Sequence, residues 1–415
     1  MKYRLPLILQ KLQEEMDRSP SSSGGAGLDK IMAEAALSKE DNKQQQQQQS
    51  TSSTPPPPPP TIFALQEICY SFTSELHAFF AQRGYQFVTG LYGKKFNGYM
   101  GVGIAYPIEH FETVKVDICR LSDERIDGWP REEEIIDEDA AKKGGPGFIE
   151  QFSKIINQFI RNRVIKQLGF NQQQQQQREP IDPWEMSENR FNVLVSVALR
   201  HRHKGASSSS SSTTSDGTFL ISNYHMPCAF YAPPVMNIHS EMVARRVQTL
   251  AADVYDTLYG DKKKEGEKDI NTIPYILAGD FNIMPDSPHY KLLTTGSLDK
   301  SDPTFPPAKF GVEWTIEAEA MDSAYAEIGE EPEFTNYAHI QDQENPFIGT
   351  LDYIFLSRKA KTTRIIDEKV AGEWWKVNGV TKLPSVAESG GPFPNAVEPS
   401  DHLLISADLE LVSEK

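Results

Sequence analysis

Positive charge, cysteine and long apolar runs are all scarce in this chain of 415 residues. Lys and Arg total 42 against 58 Asp and Glu, a net charge of −16. That excludes attachment to nucleic acid by bulk basicity, but not through a local basic groove or a bound cation. The three cysteines, Cys69, Cys119 and Cys228, form no C-x-x-C pair and are too few to staple a fold this long. A reducing compartment is expected, the cytoplasm first and the nucleus second. No apolar run approaches the ~18 residues of a membrane span. The opening MKYRLPLILQKL lacks the apolar length and small-residue cleavage site of a secretory signal. The expectation is a soluble monomer with no membrane partner and no named protein partner. Repeats of fixed period are absent. Apolar residues make up only 38%, below the usual ~45–50%, so part of the chain is expected to lie outside any core.

Four low-complexity stretches supply that filler: residues 19–27, 44–49 running into the prolines at 55–60, 172–177, and 207–212. None can bury enough apolar area to offset the entropy of ordering it. The proline run is expected as extended polyproline and the others as flexible surface loops. Residues 1–60 then read as an N-terminal helix followed by a Ser/Gln/Pro-rich loop. Residues 61–415 read as one catalytic domain interrupted at 171–178 and 205–216.

Between the fillers, runs rich in Val, Ile, Phe and Tyr predict strands at 84–92, 98–107, 111–120, 191–201, 218–226, 272–278, 350–357 and 402–412. Three- and four-residue spacing predicts helices at 71–82, 148–168 and 236–258. Strands with interspersed helices point to two packed sheets with helices outside.

The informative feature is what ends each apolar run. TIFAL ends in Gln66–Glu67, FLI in Ser222–Asn223–Tyr224–His225, and ILA in Gly279–Asp280–Phe281–Asn282. Asp352 interrupts GTLDYIFLS, and Asp401–His402 precedes LLISADLEL. Singly, each has an ordinary reading. Glu67 could face solvent at a helix entry, His225 could be a hydrogen-bonded core histidine, and Asp280 with Asn282 could form an Asx-turn. Asp352 is harder to dismiss, because a carboxylate in an apolar strand is costly unless paired. Sheets gather strand ends along one edge, so five such groups can converge on a metal and phosphate site.

The motifs ALQE, N-x-H, GDFN, TLDYIF and SDH, in that order, resemble the endonuclease/exonuclease/phosphatase superfamily. FTNY followed by FIGTLDYIF resembles its deadenylase branch, which includes the carbon catabolite repressor nucleases, nocturnin, the Angel proteins and 2′,5′-phosphodiesterase. The resemblance implies a four-layer α/β/β/α sandwich of two mixed sheets. It implies Mg²⁺, with Mn²⁺ as a substitute, held by Glu67, Asp280 and Asp401. It further implies catalytic roles for His225, Asp280, Asn282, Asp352 and His402. Asn223, Asn336 and Phe347 are implied substrate contacts, Phe347 by stacking on a base.

Two departures accompany the resemblance. Family members usually begin with a strand ending in a metal-side asparagine, whereas residues 3–13 resemble only the helix that follows it. The segment MPCAFYAPPVM after His225 also differs from the branch, and Tyr224 stands where a small residue is usual. The expected activity is 3′–5′ exoribonuclease action of deadenylase type on RNA 3′ ends. The alternatives are a phosphatase or phosphodiesterase for a small nucleotide, and a binding module impaired by the absent strand. Lys94–Lys95 and residues 201–204 could touch a nucleic-acid backbone, although solvated loop charge is the simpler reading.

Overall fold

A largely apolar strand needs cover on both faces, and residues 193–199 and 275–280 are buried throughout. The computed structural model describes residues 4–18, 59–93, 99–132, 181–202, 216–260, 272–340, 344–358 and 374–412. Apart from Pro59 and Pro60, the four filler stretches lie outside the described residues, as do the helix expected at 148–168 and Lys94–Lys95.

The chain opens with α1 (Arg4–Met16), β1 (Phe63–Leu65), α2 (Tyr70–Ala81), β2 (Tyr85–Tyr92), β3 (Met100–Pro107) and β4 (Phe111–Arg120). After a 3-10 turn at Leu121–Glu124 come α3 (Pro183–Glu188), β5 (Val193–His201), β6 (Thr218–His225), α4 (Pro233–Tyr259) and β7 (Tyr275–Asp280). Next are α5 (Pro288–Thr295), β8 (Met321–Ser323), α6 (Ala324–Ile328), β9 (Asn336–Ala338) and β10 (Phe347–Gly349). The last three are β11 (Asp352–Ser357), β12 (Trp375–Val380) and β13 (Ala407–Leu411).

Six strands form the main sheet in the order β4-β5-β6-β7-β11-β8, antiparallel except for the parallel pair β6–β7. Facing it are the sheet β1-β3-β2 and the two-stranded sheet β12–β13. Val102, Ile104 and Tyr106 of β3 meet Val195, Val197 and Leu199 of β5, and Trp375 packs in the same layer. On the far face of the main sheet, Val243, Val247, Leu250 and Val254 of α4 cover Leu194, Leu220 and Leu277. On the outer face of the smaller sheet, Leu12 of α1 and Leu76, Phe79 and Phe80 of α2 cover Phe63 and Phe87. Each such apolar side chain removed from water contributes roughly 1.5–3 kcal/mol. The result is the expected order helix, sheet, sheet, helix.

Two boundaries differ instructively from the sequence reading. The helix expected from residue 236 starts at Pro233, where a fixed φ and a missing N–H suit the first turn. Of the strand expected at 402–412, only Ala407–Leu411 is regular. Its first residues are diverted, since the Leu403 amide donates to the Thr335 carbonyl and Asn336 bridges His402.

Inside α4, Glu241 is buried, accepting a weak bond from the Glu317 amide at 3.4 Å. Burial raises its pKa to about 7 against the pull of Arg245 and Arg125. A carboxyl whose folded pKa is raised carries no penalty below its unfolded value near 4.5; the cost grows as pH rises to 7 and persists above it. Glu241→Gln is therefore expected to stabilise the fold at pH 8, by at most about 3 kcal/mol, and to change nothing at pH 4. Thermal melts at the two pH values check this.

Candidate active site

Strand register assembles the centre of the site. His225 ends β6 and pairs with Asp280, which ends β7, and Asp280 in turn pairs with Asp352, which begins β11. Residues directly opposite in a sheet share a face, so three chain-distant groups stand in one row at one sheet edge. His402 closes the row, its Nδ1 lying 2.8 Å from Asp352 Oδ2. His225 Nε2 and His402 Nε2 flank Asp280 Oδ2 at 3.4 and 3.7 Å.

Each member is held by a specific partner. Thr335 Oγ1 donates to Asp352 Oδ2 at 2.6 Å and accepts from the amides of Leu351 and Asp352. Asp280 Oδ1 accepts from the Asn282 amide at 2.9 Å, and Asn282 sits at φ +52°, a left-handed conformation that asparagine tolerates. Burial and then Asp352 push the Asp280 carboxyl upward. Burial alone would lower His402, but the Asp352 carboxylate outweighs it and, with Asp280 and Asp401, holds the imidazole well above its usual value. Burial lowers His225 to about 4, so its ring is neutral at physiological pH. The Tyr92 hydroxyl lies 3.0 Å from His225 Nδ1. With a carboxylate facing Nε2, the favoured tautomer carries its proton there while Tyr92 donates to Nδ1.

On the opposing sheet, Glu67 follows β1 at φ +54°, open to solvent at the cleft yet with its carboxyl enclosed by protein. That enclosure, then the negative charge of Asp401, raises its pKa; Asp352 adds to the effect and His402 opposes it. Glu67 therefore lies within electrostatic reach of Asp401, which precedes His402 in the chain.

Asn223 was expected to meet substrate, and the structure gives it another task. It is fully buried, with Oδ1 accepting from Gln66 and Nδ2 donating to the carbonyls of Leu65 and Gly103. Both ends of its amide are spent tying the Glu67 segment to β6. Asn282 donates to the Met226 carbonyl at 3.0 Å, which leaves its second amide proton free for a ligand. Asn336 is buried beside His402 with Oδ1 unpaired among the described residues. Phe347 is half-buried two pairs further along the β9–β10 ribbon, opposite Ala338, its ring 6.3 Å from that of Phe230. His201 and Arg202 lie at the other end of β5, where Arg202 is committed to the carbonyls of Ile108 and Phe111. They do not reach the site.

Tyr92, Thr335 and Gln66 were not singled out as functional. Tyr92 ends an apolar strand just as Asp280 does, and that rule applied to aromatic hydroxyls would have found it. Thr335 lies inside FTNY, but nothing in sequence reveals that its hydroxyl bridges Asp352 and two amides.

The donor set is suited to a hard divalent cation. Asp280, Asp352 and His402 each offer a ligand atom within 4.8 Å of the others. The carboxylates of Glu67 and Asp401 interact in the same cleft, where the His402 imidazole offsets them in part.

The sequence matches the Endonuclease/Exonuclease/phosphatase family over residues 26–402, and the chain belongs to that family. Its enzymes hydrolyse phosphoester bonds, typically with a divalent cation. Among similar proteins, the CCR4-Not complex 3′-5′-exoribonuclease subunit Ccr4 of Mycosarcoma maydis is 30% identical over 145 residues, 34% of this chain and 19% of that protein. The corresponding subunit of Phaeosphaeria nodorum is 34% identical over 139 residues, covering 32% and 20%. The aligned stretch therefore spans about a fifth of the length of these relatives. Among solved structures, ANGEL2, described as a 2′,3′-cyclic phosphatase in complex with adenosine-2′,3′-vanadate, superposes with a TM-score of 0.52 at 14% identity. That match covers 99% of this chain and 86% of the other, and it shows a shared fold.

Proposed function

We propose that the chain is a Mg²⁺-dependent phosphodiesterase acting on RNA, a 3′–5′ exoribonuclease of deadenylase type. The observation that carries the reading is the register-aligned row His225–Asp280–Asp352, closed by His402. The similarity to exoribonuclease subunits supports RNA as the substrate.

Glu67 and Asp401, with Asp280, would hold the cation, which would neutralise phosphate charge and lower the pKa of a bound water. Asp280 would orient a water and take its proton as the oxygen bonds to phosphorus. The P–O3′ bond would break on the opposite side, and the leaving 3′ oxygen would take up a proton from solvent. His225, through Nε2–H, and the free amide proton of Asn282 donate to the phosphoryl oxygens as charge accumulates. Asp352 keeps the proton of His402 on Nδ1 and supports the charge of the ring. Asn336, with its unpaired carbonyl, can accept from an exocyclic amine, and Phe347 offers a stacking face.

Incubation of a 5′-labelled oligoadenylate with and without Mg²⁺ tests this. Single-nucleotide shortening from the 3′ end, abolished by EDTA, is expected. Internal cuts would contradict exonuclease action. Release of phosphate from a small nucleotide, with the oligomer left intact, would favour the phosphatase alternative.

A further inference from the structure

Outside the catalytic row, the described surface carries an aromatic and arginine ribbon that begins at its edge. Phe230 and Tyr231 are consecutive, 50% and 66% exposed, in the loop that follows His225. Arg190 and Phe191 are also consecutive, and Phe191 is 49% exposed. One contact joins the two pairs, Arg190 Nη2 lying 3.4 Å from the Tyr231 hydroxyl. Arg120 extends the ribbon, with its guanidinium 5.2 Å from the centre of the Phe191 ring. At the catalytic end Phe230 neighbours Phe347, and Asn192, next in the chain to Phe191, donates to the His225 carbonyl at 2.7 Å. Beyond Arg120 the surface opens into a cavity of about 340 Å³ that includes Arg125 and Trp129.

We infer that this ribbon binds the upstream part of a single-stranded RNA, with Tyr231 and Phe191 stacking on bases and Arg190 pairing with a phosphate. The proposal rests on the phosphodiesterase reading for its direction, since the strand would run away from the row. Three observations favour nucleic acid as the occupant. Aromatic faces alternate with guanidinium groups, the pattern that binds single strands without sequence preference. Arg120 is bound by Asp123, whereas Arg190 has no carboxylate partner among the described residues, and its Nε is buried without an acceptor. The ribbon is also continuous with the site through Phe230 and Asn192. An acidic protein that acts on RNA needs such a local cationic strip, because its overall field is repulsive.

The test compares an adenylate dinucleotide with a long oligoadenylate, using Phe191→Ala, Arg190→Gln and Arg190→Lys in the full chain. For Phe191→Ala and Arg190→Gln, kcat/KM on the long substrate is expected to fall about tenfold with little change on the dinucleotide. Arg190→Gln should also reduce the slope of log affinity against log salt by about 0.7, and Arg190→Lys should restore it. Equal losses on both substrates, or no loss on the long one, would overturn the ribbon. Anisotropy of a labelled long oligoadenylate in EDTA separates the two readings if the wild type hydrolyses neither substrate. Binding weakened by the variants upholds the ribbon and removes the phosphodiesterase reading. Binding that the variants leave unchanged removes the ribbon itself.

Discussion

Exchange of Asp280 for asparagine is expected to lower phosphodiester turnover by about a thousandfold or more, and His402→Ala should do the same. The size follows from position. Asp280 Oδ2 lies between two imidazole nitrogens, so one side chain serves both histidines and, in the proposed mechanism, the water and the cation. Asparagine keeps the acceptor that receives the Asn282 amide but cannot take a proton. The fold itself should tolerate the change. Burial and the neighbouring Asp352 already disfavour ionisation of Asp280, so removing its charge relieves a cost in the cation-free protein. Thermal melts in EDTA are expected to show the asparagine variant at least as stable as the wild type. Initial rates with Mg²⁺ should show the loss, which would divide inactivity from unfolding. Activity within tenfold of wild type would remove the row from the chemistry.

How much of this was legible in the sequence depended on the kind of signal. Strands β5, β6 and β7 announce themselves because burial on both faces favours largely apolar runs, and the polar residues that end them stand out against these runs. The same contrast marked Asp352. Strands β8, β9 and β10 are three residues each, too short for alternation to register. They matter all the same, since β9 places Asn336 beside His402 and brings Thr335 under Asp352. Asn223 shows the opposite limit. Its motif marked it as part of the site, but a motif cannot tell an amide that meets substrate from one that ties two sheets together. Only the carbonyls of Leu65 and Gly103, about 158 and 120 positions away, decide that. Pairings across such distances are what sequence pattern leaves open, and in this protein they connect the two sheets that carry the site.

Gly279→Ala is expected to be among the most destabilising single substitutions in the chain, costing more than about 3 kcal/mol. The glycine of GDFN pairs with Tyr224 across the parallel β6–β7 ladder at φ +154°, where a side chain is strained. A Cβ there would lie 1.8 Å from the Tyr224 carbonyl oxygen, a backbone atom that no rotamer change can move. Relief requires β7 to separate from β6, and that separation parts Asp280 from His225. Gly84 supplies the comparison, since it is also left-handed at φ +73° but faces open space. Gly84→Ala should therefore cost only about 1 kcal/mol, the conformational penalty alone. Urea denaturation of the two variants measures the difference, and turnover at low temperature adds a second readout. Whatever fraction of Gly279→Ala remains folded should be inactive, because the same close approach that excludes a methyl group sets the distance between Asp280, proposed as catalytic, and His225. Comparable stability losses at the two glycines would mean that the strands adjust, and that the spacing of His225 and Asp280 is not imposed by the backbone.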